Sequence, residues 1–294
     1  MPYSEIINVI LPTFITILIG YIIGRFIRLD IAAIIDIIFY VGLPAIAFVS
    51  ILNQQIILLE ALKIWASVVV VSLGCGAVGW IVFSLLKKKH SGLYLPIALP
   101  NTVNIPFPII SLAYGPAGLF IATLYYIPNL IMLYSAGVFI AAGGSWRENI
   151  KTVLKVPPIY AAVIALLLNL FHIGVPALIV GTLDFIGGMV IPLVLLTLGY
   201  SLSRVKMTSF PTTIGASLIR VGGGLALGFL MVYIFNITGI ARSVIILMSA
   251  MPAAVNTYTV AAKYKNEAEL VASVVMVTTI ISLVLIPFLL HVLG

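Results

Sequence analysis

The chain has 294 residues, of which 63% are hydrophobic and only 8% are charged, and its mean hydropathy is +1.27. Soluble domains carry about 25% charged residues, so this composition excludes a soluble enzyme or binding module and predicts an all-α integral membrane protein. The formal net charge of +7 would suit a nucleic-acid-binding protein, but the positions of the cations, described below, argue against that class.

Ten apolar runs are near or above the roughly 18 residues that mark a membrane-spanning helix. In chain order they cover residues 6–24, 31–52, 64–86, 93–112, 117–142, 157–171, 176–202, 211–235, 241–262 and 270–292. The first run leads into Arg25 and Arg28 rather than into a small-residue cleavage site, so we predict a span and no cleavable signal peptide. The single cysteine, Cys75, excludes an intramolecular disulfide and is interpreted as a small core residue.

The cations lie mainly on alternate connections between the predicted spans. The odd-numbered connections hold twelve of the fifteen: Arg25, Arg28, Lys87, Lys88, Lys89, Arg147, Lys151, Lys155, Arg204, Lys206, Lys263 and Lys265. Cytoplasmic loops are enriched in Lys and Arg, so these connections are predicted to be cytoplasmic and both termini extracytoplasmic. The cations are therefore topological signals of a multi-pass cell-membrane protein, and no nucleic-acid partner is expected.

Two motifs recur in the two halves of the chain. "PNTVN" begins at Pro100 in the fourth predicted span, and "PAAVN" begins at Pro252 in the ninth, 152 residues later. "DIIFYVGLP" begins at Asp36 in the second span, and "DFIGGMVIP" begins at Asp184 in the seventh, 148 residues later. Offsets this similar belong to one internal repeat.

The repeat divides the chain into two units of five spans, residues 1–142 and 157–294, joined by a cytoplasmic linker at 143–156. Since five is odd, the second unit must enter the membrane in the opposite orientation. We therefore predict ten transmembrane helices arranged as two inverted five-helix repeats, with helices 4 and 9 broken and crossing each other.

Proline accounts for the breaks in the fourth and ninth spans. Pro100, Pro106 and Pro108 lack an N–H and clash with the preceding turn, and Pro252 does the same in the second half. Backbone groups freed in this way would cost several kcal/mol each in lipid, so they must line a cavity enclosed by protein. The N-termini of the following half-helices would face that cavity and favour a small carboxylate or similar anion. The alternative is that these are ordinary proline kinks. The recurrence of the Pro-x-x-Val-Asn motif in both halves makes this alternative the weaker one.

The stretches "LPNTVNIPFPI" and "MPAAVNTYTVAAKY", in a chain of ten predicted spans, resemble the auxin efflux carrier family of membrane transporters. The resemblance covers essentially the whole chain and is most specific in the second stretch. Prokaryotic members of the family are similar to plant PIN proteins without their long central loop. The resemblance implies a fold akin to the bile acid:sodium symporters. Spans one, two, six and seven would then form a scaffold, and spans three to five and eight to ten a transport domain.

The resemblance also implies that substrate binds where the two broken helices cross. Pro100, Asn104, Pro252 and Asn256 match this crossing. The full set of residues expected to bind substrate is Pro100, Asn101, Thr102, Asn104, Asn129, Arg220, Pro252, Asn256 and Thr257. Asn101 and Thr102 have only Ala253 and Ala254 opposite them, so the polar lining is expected to be uneven.

Three charged residues fall well inside predicted spans, whereas Arg242 lies at the edge of one. Arg220 costs on the order of 3 kcal/mol there, so its charge must be offset. It either contacts the substrate anion or acts as a coupling charge facing the site, or it forms a structural pair with backbone carbonyls or an acid at the domain interface. Asp36 and Asp184 are interpreted as a matching pair of buried acids. Their duplication suggests a proton or sodium role, but helix capping or interfacial hydrogen bonding is the preferred interpretation.

We predict a secondary transporter that moves a small organic anion, auxin-like or another carboxylate, by elevator-type alternating access. A sodium-coupled organic anion symporter of the bile acid class is the alternative, and a channel suits two broken helices less well. Catalysis is not expected, because no nucleophile motif or metal cluster is recognisable. Cofactors and metals are likewise not expected. The expected partners are the substrate and the bilayer, and the scaffold allows a homodimer.

Overall fold

The computed structural model describes residues 2–52, 54–87, 90–142 and 151–293. Apart from one isolated backbone bridge, the regular secondary structure of these residues is helical. Seven helical segments among the described residues are long and apolar enough to cross a membrane, and one of them, Ala177–Ser203, comprises the helices numbered α7 and α8 below. This confirms the prediction of an all-α membrane protein. Residues 143–150 of the predicted linker lie outside the described residues.

The helices are numbered in chain order. They are α1 (Tyr3–Phe26), α2 (Ala32–Leu52), α3 (Leu58–Leu85), α4 (Tyr94–Ala98), α5 (Pro106–Met132), α6 (Pro157–Leu170), α7 (Ala177–Gly187), α8 (Val190–Ser203), α9 (Phe210–Ile234), α10 (Gly239–Ser249), α11 (Val255–Lys263) and α12 (Ala268–Leu293). Short π-helical turns occur within α2 at Ile38–Gly42, after α5 at Leu133–Gly137 and within α9 at Ile219–Gly223. Turns of this kind are frequent at functional sites.

The longest apolar helix runs for 36 residues, from Pro106 at the start of α5 to Ala141. A straight helix of that length would measure about 54 Å, whereas the hydrocarbon core of a bilayer is about 30 Å thick. The helix is divided at Gly115, whose φ of 62° and ψ of −157° are non-helical. A residue with a side chain rarely adopts this conformation. The segment therefore does not cross the membrane as one straight rod.

Helices α1, α2, α6, α7 and α8 form one packed group. α1 lies along α8 at backbone contact distance: a Cβ on Gly20 would overlap the carbonyl oxygen of Leu196. Asn169 on α6 donates its side-chain amide to the carbonyls of Ile51 and Leu52, at 3.2 and 2.9 Å. These bonds satisfy acceptors that the C-terminal end of α2 leaves free. The group is thus held by close backbone packing and a capped helix end.

The other helices, α3, α4, α5 and α9 to α12, form a second group. α9 approaches the end of α10 closely, because Gly224 and Gly228 both lie against Ser249. Gly224 and Gly228 form a Gly-x-x-x-Gly pattern, and small residues at this spacing let two helix backbones approach closely. Cys75 on α3 is buried, which confirms its interpretation as a small core residue.

The two acids of the repeated motif are not buried. Asp36 and Asp184 are both exposed, so the interpretation of a buried pair is wrong. Asp184 lies on the outer side of α7, next to Phe185, whose side chain is 87% exposed. α7 is apolar around its whole circumference, so hydrophobic periodicity could not indicate which side faces the protein.

Candidate functional site

The fourth predicted span is interrupted between the end of α4 at Ala98 and the start of α5 at Pro106. Pro100 lies within the break. Pro106 and Pro108 instead occupy the first turn of α5, where the missing N–H groups would have no intrahelical partner. The predicted interruption is confirmed, although one proline lies in the break and two start the next helix.

Asn101 folds its side chain back onto the backbone of this first break. Its Oδ1 accepts hydrogen bonds from the N–H groups of Val103 and Asn104, at 3.3 and 2.9 Å. An Asx turn of this kind satisfies donors that an interrupted helix leaves free. The same residue is only 3% exposed, so the first break has a defined internal structure.

The ninth predicted span is interrupted between the end of α10 at Ser249 and the start of α11 at Val255. This second break contains Pro252. The backbone N–H of Ala253 donates to the hydroxyl of Thr278 on α12 at 3.1 Å. A neighbouring helix therefore supplies the partner that the local backbone lacks.

The two breaks are hydrogen-bonded to each other. The N–H of Asn101 donates to the carbonyl of Pro252 at 2.6 Å, and the N–H of Ala254 donates to the carbonyl of Leu99 at 3.0 Å. The pairing is that of a short antiparallel bridge. It satisfies buried backbone groups in both breaks at once, and it joins parts of the chain about 150 residues apart in sequence.

Asn129 on α5 ties the first break to the rest of the fold. Its Nδ2 donates to the carbonyl of Pro100 at 3.3 Å and to the hydroxyl of Thr102 at 3.1 Å. Asn129 and Thr102 are 3% and 5% exposed, respectively. The amide therefore holds the break in one position while facing the same space as Asn101.

A cavity of about 560 Å³ lies beside the paired breaks. Its polar wall is formed by Asn101, Thr102, Asn104, Asn129, Asn256 and Thr259. Its charged residues are Asp36, Lys155 and Lys263, and its tyrosines are Tyr40, Tyr126, Tyr134, Tyr258 and Tyr264. The cavity is bounded by both packed groups of helices, since Asp36 belongs to α2 and Asn256 to α11.

Three buried polar atoms of the cavity-lining residues have no hydrogen-bond partner among the described residues. They are Nδ2 of Asn101, Oδ1 of Asn129 and the hydroxyl of Tyr126. Leaving a buried polar group unpaired costs about 1–3 kcal/mol, and most such groups in native proteins are paired. These three atoms are therefore unsatisfied in this structure, on residues that line the cavity.

Arg220 does not line the cavity, and its side chain is fully buried. The guanidinium donates to the carbonyls of Ile97, Ala98 and Ser249, at 3.1, 3.0 and 2.6 Å. This geometry matches the structural role predicted for Arg220, in which its charge is paired with backbone carbonyls. The charge lies at the C-terminal ends of α4 and α10, where helix partial charge is negative.

Thr257 is also outside the cavity lining. Its hydroxyl is fully buried and donates to the carbonyl of Ala254 at 2.5 Å, within the first turn of α11. Pro100 and Pro252 are buried as well, and neither lines the cavity. Their backbone carbonyls accept hydrogen bonds from Asn129 and Asn101, respectively. Asn101, Thr102, Asn104, Asn129 and Asn256 are the predicted residues that the structure brings together at the cavity.

Several lining residues were missed by sequence reasoning. Thr259 lies three residues after Asn256, on the same face of α11, so helical periodicity could have identified it. Tyr126 and Tyr134 reach the cavity from α5 and its π turn, and nothing in their sequence surroundings distinguishes them. Within the described ranges, no group of three or more His, Cys, Asp or Glu residues is placed to hold a metal ion.

Comparison with known proteins gives three matches. Residues 145–290 match a protein family described as membrane transport protein. An uncharacterized transporter of Methanocaldococcus jannaschii is 27% identical over 297 residues, which cover 95% of this chain and 96% of the relative. An uncharacterized transporter of Methanothermobacter thermautotrophicus is 24% identical over 295 residues, which cover 95% of each chain. Both relatives align along nearly the full length, so the similarity includes both breaks.

Proposed function

Because the chain belongs to the auxin efflux carrier family of membrane transporters, we propose that it carries a small organic anion through the cavity beside the two breaks. The observation that carries the proposal is the hydrogen-bonded pairing of the breaks next to unpartnered polar atoms. Within a membrane, non-helical backbone is tolerated where it is buried in protein or lines a wet cavity. Carriers with discontinuous helices bind their substrates at such junctions.

Charge supports an anion as the substrate. The first turn of α11 reaches the cavity at Val255 and Asn256. A helix N-terminus supplies partial positive charge and free N–H groups, which suit a carboxylate. Among the described lining residues, Lys155 and Lys263 outnumber the single carboxylate, Asp36.

Size and shape support an organic anion rather than a small inorganic one. A volume of about 560 Å³ lies within the range of roughly 300–1,000 Å³ that is typical of small-molecule sites. Tyrosines form much of the remaining wall, and they offer apolar rings with a polar tip. A molecule with an apolar body and one carboxylate, such as an auxin-like acid, matches this lining.

We propose ten membrane crossings in two inverted repeats. The division at Gly115 supports separate fourth and fifth crossings, and α10 with α11 would form the ninth. The equivalent positions of the two breaks support the repeat, and the distribution of Lys and Arg supports extracytoplasmic termini in a cell membrane.

The two packed groups of helices support an elevator mechanism. The group containing α1, α2, α6, α7 and α8 would be the scaffold, and the group containing both breaks would move. Two contacts that join the groups are a hydrogen bond at 3.0 Å between Ser50 on α2 and Thr123 on α5, and a ring contact at the cavity between Phe39 and Tyr134, whose centroids lie 5.8 Å apart. Sliding of one group along the other would exchange these contacts.

An exchange assay tests the function. A panel of small carboxylates is first screened for a rise in the melting temperature of the purified protein, because a ligand that binds the folded state stabilises it. Proteoliposomes loaded with the best unlabelled acid should then accumulate its labelled form. Asn104→Ala and Asn256→Ala should lose this exchange and remain folded. Normal exchange by both variants, or no response to any acid, would contradict the proposal.

A cross-link tests the elevator step separately. In a Cys75→Ser background, Ser50→Cys and Thr123→Cys place two thiols where hydroxyls now touch, a spacing compatible with a disulfide. Oxidation should stop exchange without preventing ligand binding, and reduction should restore it. Each single cysteine serves as a control. Exchange that continues with the disulfide formed would rule out sliding at this interface.

A sodium-coupled symporter of the bile acid class is the second candidate. Helix ends that converge at breaks coordinate sodium in other carriers, but here the carbonyls at the ends of α4 and α10 accept hydrogen bonds from Arg220, so this candidate needs a sodium site elsewhere. Replacing sodium by choline in the exchange assay separates the two functions. Loss of exchange in choline would favour the symporter, and unchanged exchange would favour the sodium-independent carrier.

A further inference from the structure

Arg220 makes an unusual set of contacts for a charge inside a membrane protein. It lies on the π turn of α9, is fully buried, and donates to three backbone carbonyls. Among the described residues no carboxylate lies within ion-pair distance of it, and its Nε has no hydrogen-bond partner. The positive charge is therefore balanced by carbonyl dipoles rather than by an acid.

The three carbonyls belong to the ends of two different helices. Ile97 and Ala98 end α4, and Ser249 ends α10, so each helix stops at this point and the chain enters a break. The last carbonyls of a helix have no intrahelical partner and carry partial negative charge. Where two such ends meet, their partial negative charges add, and a cation between them offsets both.

Glycine makes room for the guanidinium at this junction. Gly224 follows Arg220 by one helical turn, and a Cβ there would overlap both Nη2 of Arg220 and the carbonyl oxygen of Ser249. A side chain at this position would displace the contact at 2.6 Å between those two groups. The absence of a side chain at Gly224 therefore leaves the space that the Arg220 guanidinium occupies.

We propose that the Arg220 guanidinium is a built-in counter-cation that occupies the position where a carrier with broken helices would otherwise bind sodium. Carbonyls of unwound segments and of half-helix C-termini are the ligands such carriers offer to a coupling ion. Here the same kind of ligands bind a cation that is covalently attached to the chain. The transport part of this inference rests on the proposed function: a carrier with a permanent cation at this point runs without sodium.

The stability of purified protein tests the proposal without any substrate. Melting temperatures are compared in sodium chloride and in choline chloride at equal ionic strength. The wild type should melt at the same temperature in both salts. In choline, Arg220→Ala should melt roughly 5 °C or more below the wild type, because the carbonyls lose their only cation.

Added cations should then restore the variant. Sodium, or guanidinium at tens of millimolar, should raise the melting temperature of Arg220→Ala saturably, whereas guanidinium lowers that of the wild type. Arg242→Ala is the matched control: Arg242 lies on α10, one of the two helices whose ends Arg220 contacts, but its side chain is exposed, and its removal should create no response to either cation. Gly224→Ala, which keeps the charge but blocks its contact, should lower stability without gaining a response to sodium.

Two results would overturn the proposal. One is saturable stabilisation of the wild type by sodium over choline, and the other is an Arg220→Ala protein that responds to neither cation. If that variant does not fold, Arg220→Met replaces it, and the wild-type comparison stands by itself. Since no transport is measured, failure here leaves the anion carrier intact, and failure of the exchange assay leaves this result intact.

Discussion

The two breaks have the same motif but are held in different ways. In the first break, side chains supply the hydrogen bonds: Asn101 accepts from the local backbone, and Asn129 donates to the carbonyl of Pro100. In the second break, alanines replace the polar residues, and the backbone is held by the first break and by Thr278. The difference indicates that the first break supplies fixed polar groups, whereas the second supplies a helix end.

Asn256 follows the same division. It is exposed and lines the cavity. Asn101 is buried and bonded through Oδ1, with Nδ2 left over for a ligand. The position equivalent to Asn101 in the second motif is Ala253, so the second break has no side chain that could play the part of Asn101. The predictions below separate the groups that hold the junction from those that only face the cavity.

The largest effect is expected from Asn101→Ala. It removes the acceptor for two backbone donors, at a cost of about 1–2 kcal/mol in folding free energy, and it removes a free donor at the cavity, which should weaken carboxylate binding at least tenfold. Asn256→Ala is the matched comparison and should weaken binding at unchanged stability. Chemical denaturation and ligand titration measure the two quantities. Equal stability loss in both variants would show that the breaks are held alike.

An intermediate effect is expected from Thr278→Val. The change leaves the buried N–H of Ala253 without a partner, which should cost about 1 kcal/mol or more in folding free energy. Thr279→Val is its control, because both hydroxyls donate to the carbonyl of Val275 but only that of Thr278 accepts from the second break. If both variants lose the same stability, the contact with Ala253 contributes nothing.

The smallest effect is expected from Thr257→Val. Its hydroxyl is used within α11, so carboxylate affinity should stay within about twofold of wild type, with a stability loss of at most about 1 kcal/mol. Thr259→Val, on the lining face of the same helix, should weaken binding several-fold without a stability loss. Titration of both variants with the carboxylate measures the two affinities. A larger loss of affinity in Thr257→Val than in Thr259→Val would place the substrate on the other face of α11.

Much of the membrane fold followed from local chemistry. Apolar runs long enough to cross a bilayer predicted helices, and the prolines predicted where two of them stop, because a missing N–H and a ring clash act within one helical turn. The repeated motif then indicated that the two stops are related. Asn101 and Asn104 could be predicted as cavity residues on this ground.

Other features depended on what lies opposite a residue in space. Arg220 and Asn129 are both buried polar residues, but Arg220 caps two helix ends whereas Asn129 lines the cavity. The difference depends on the carbonyls around each side chain, which come from distant parts of the chain.

α7 is apolar on nearly all sides and carries little periodic signal of orientation, so the exposure of Asp184 was decided by packing. On α11 the polar residues Asn256, Thr257 and Thr259 point in several directions, so packing also decided that Thr257 faces inward. The chain's own sequence thus dictated where its helices break, and tertiary contacts decided which polar groups those breaks leave free for a substrate.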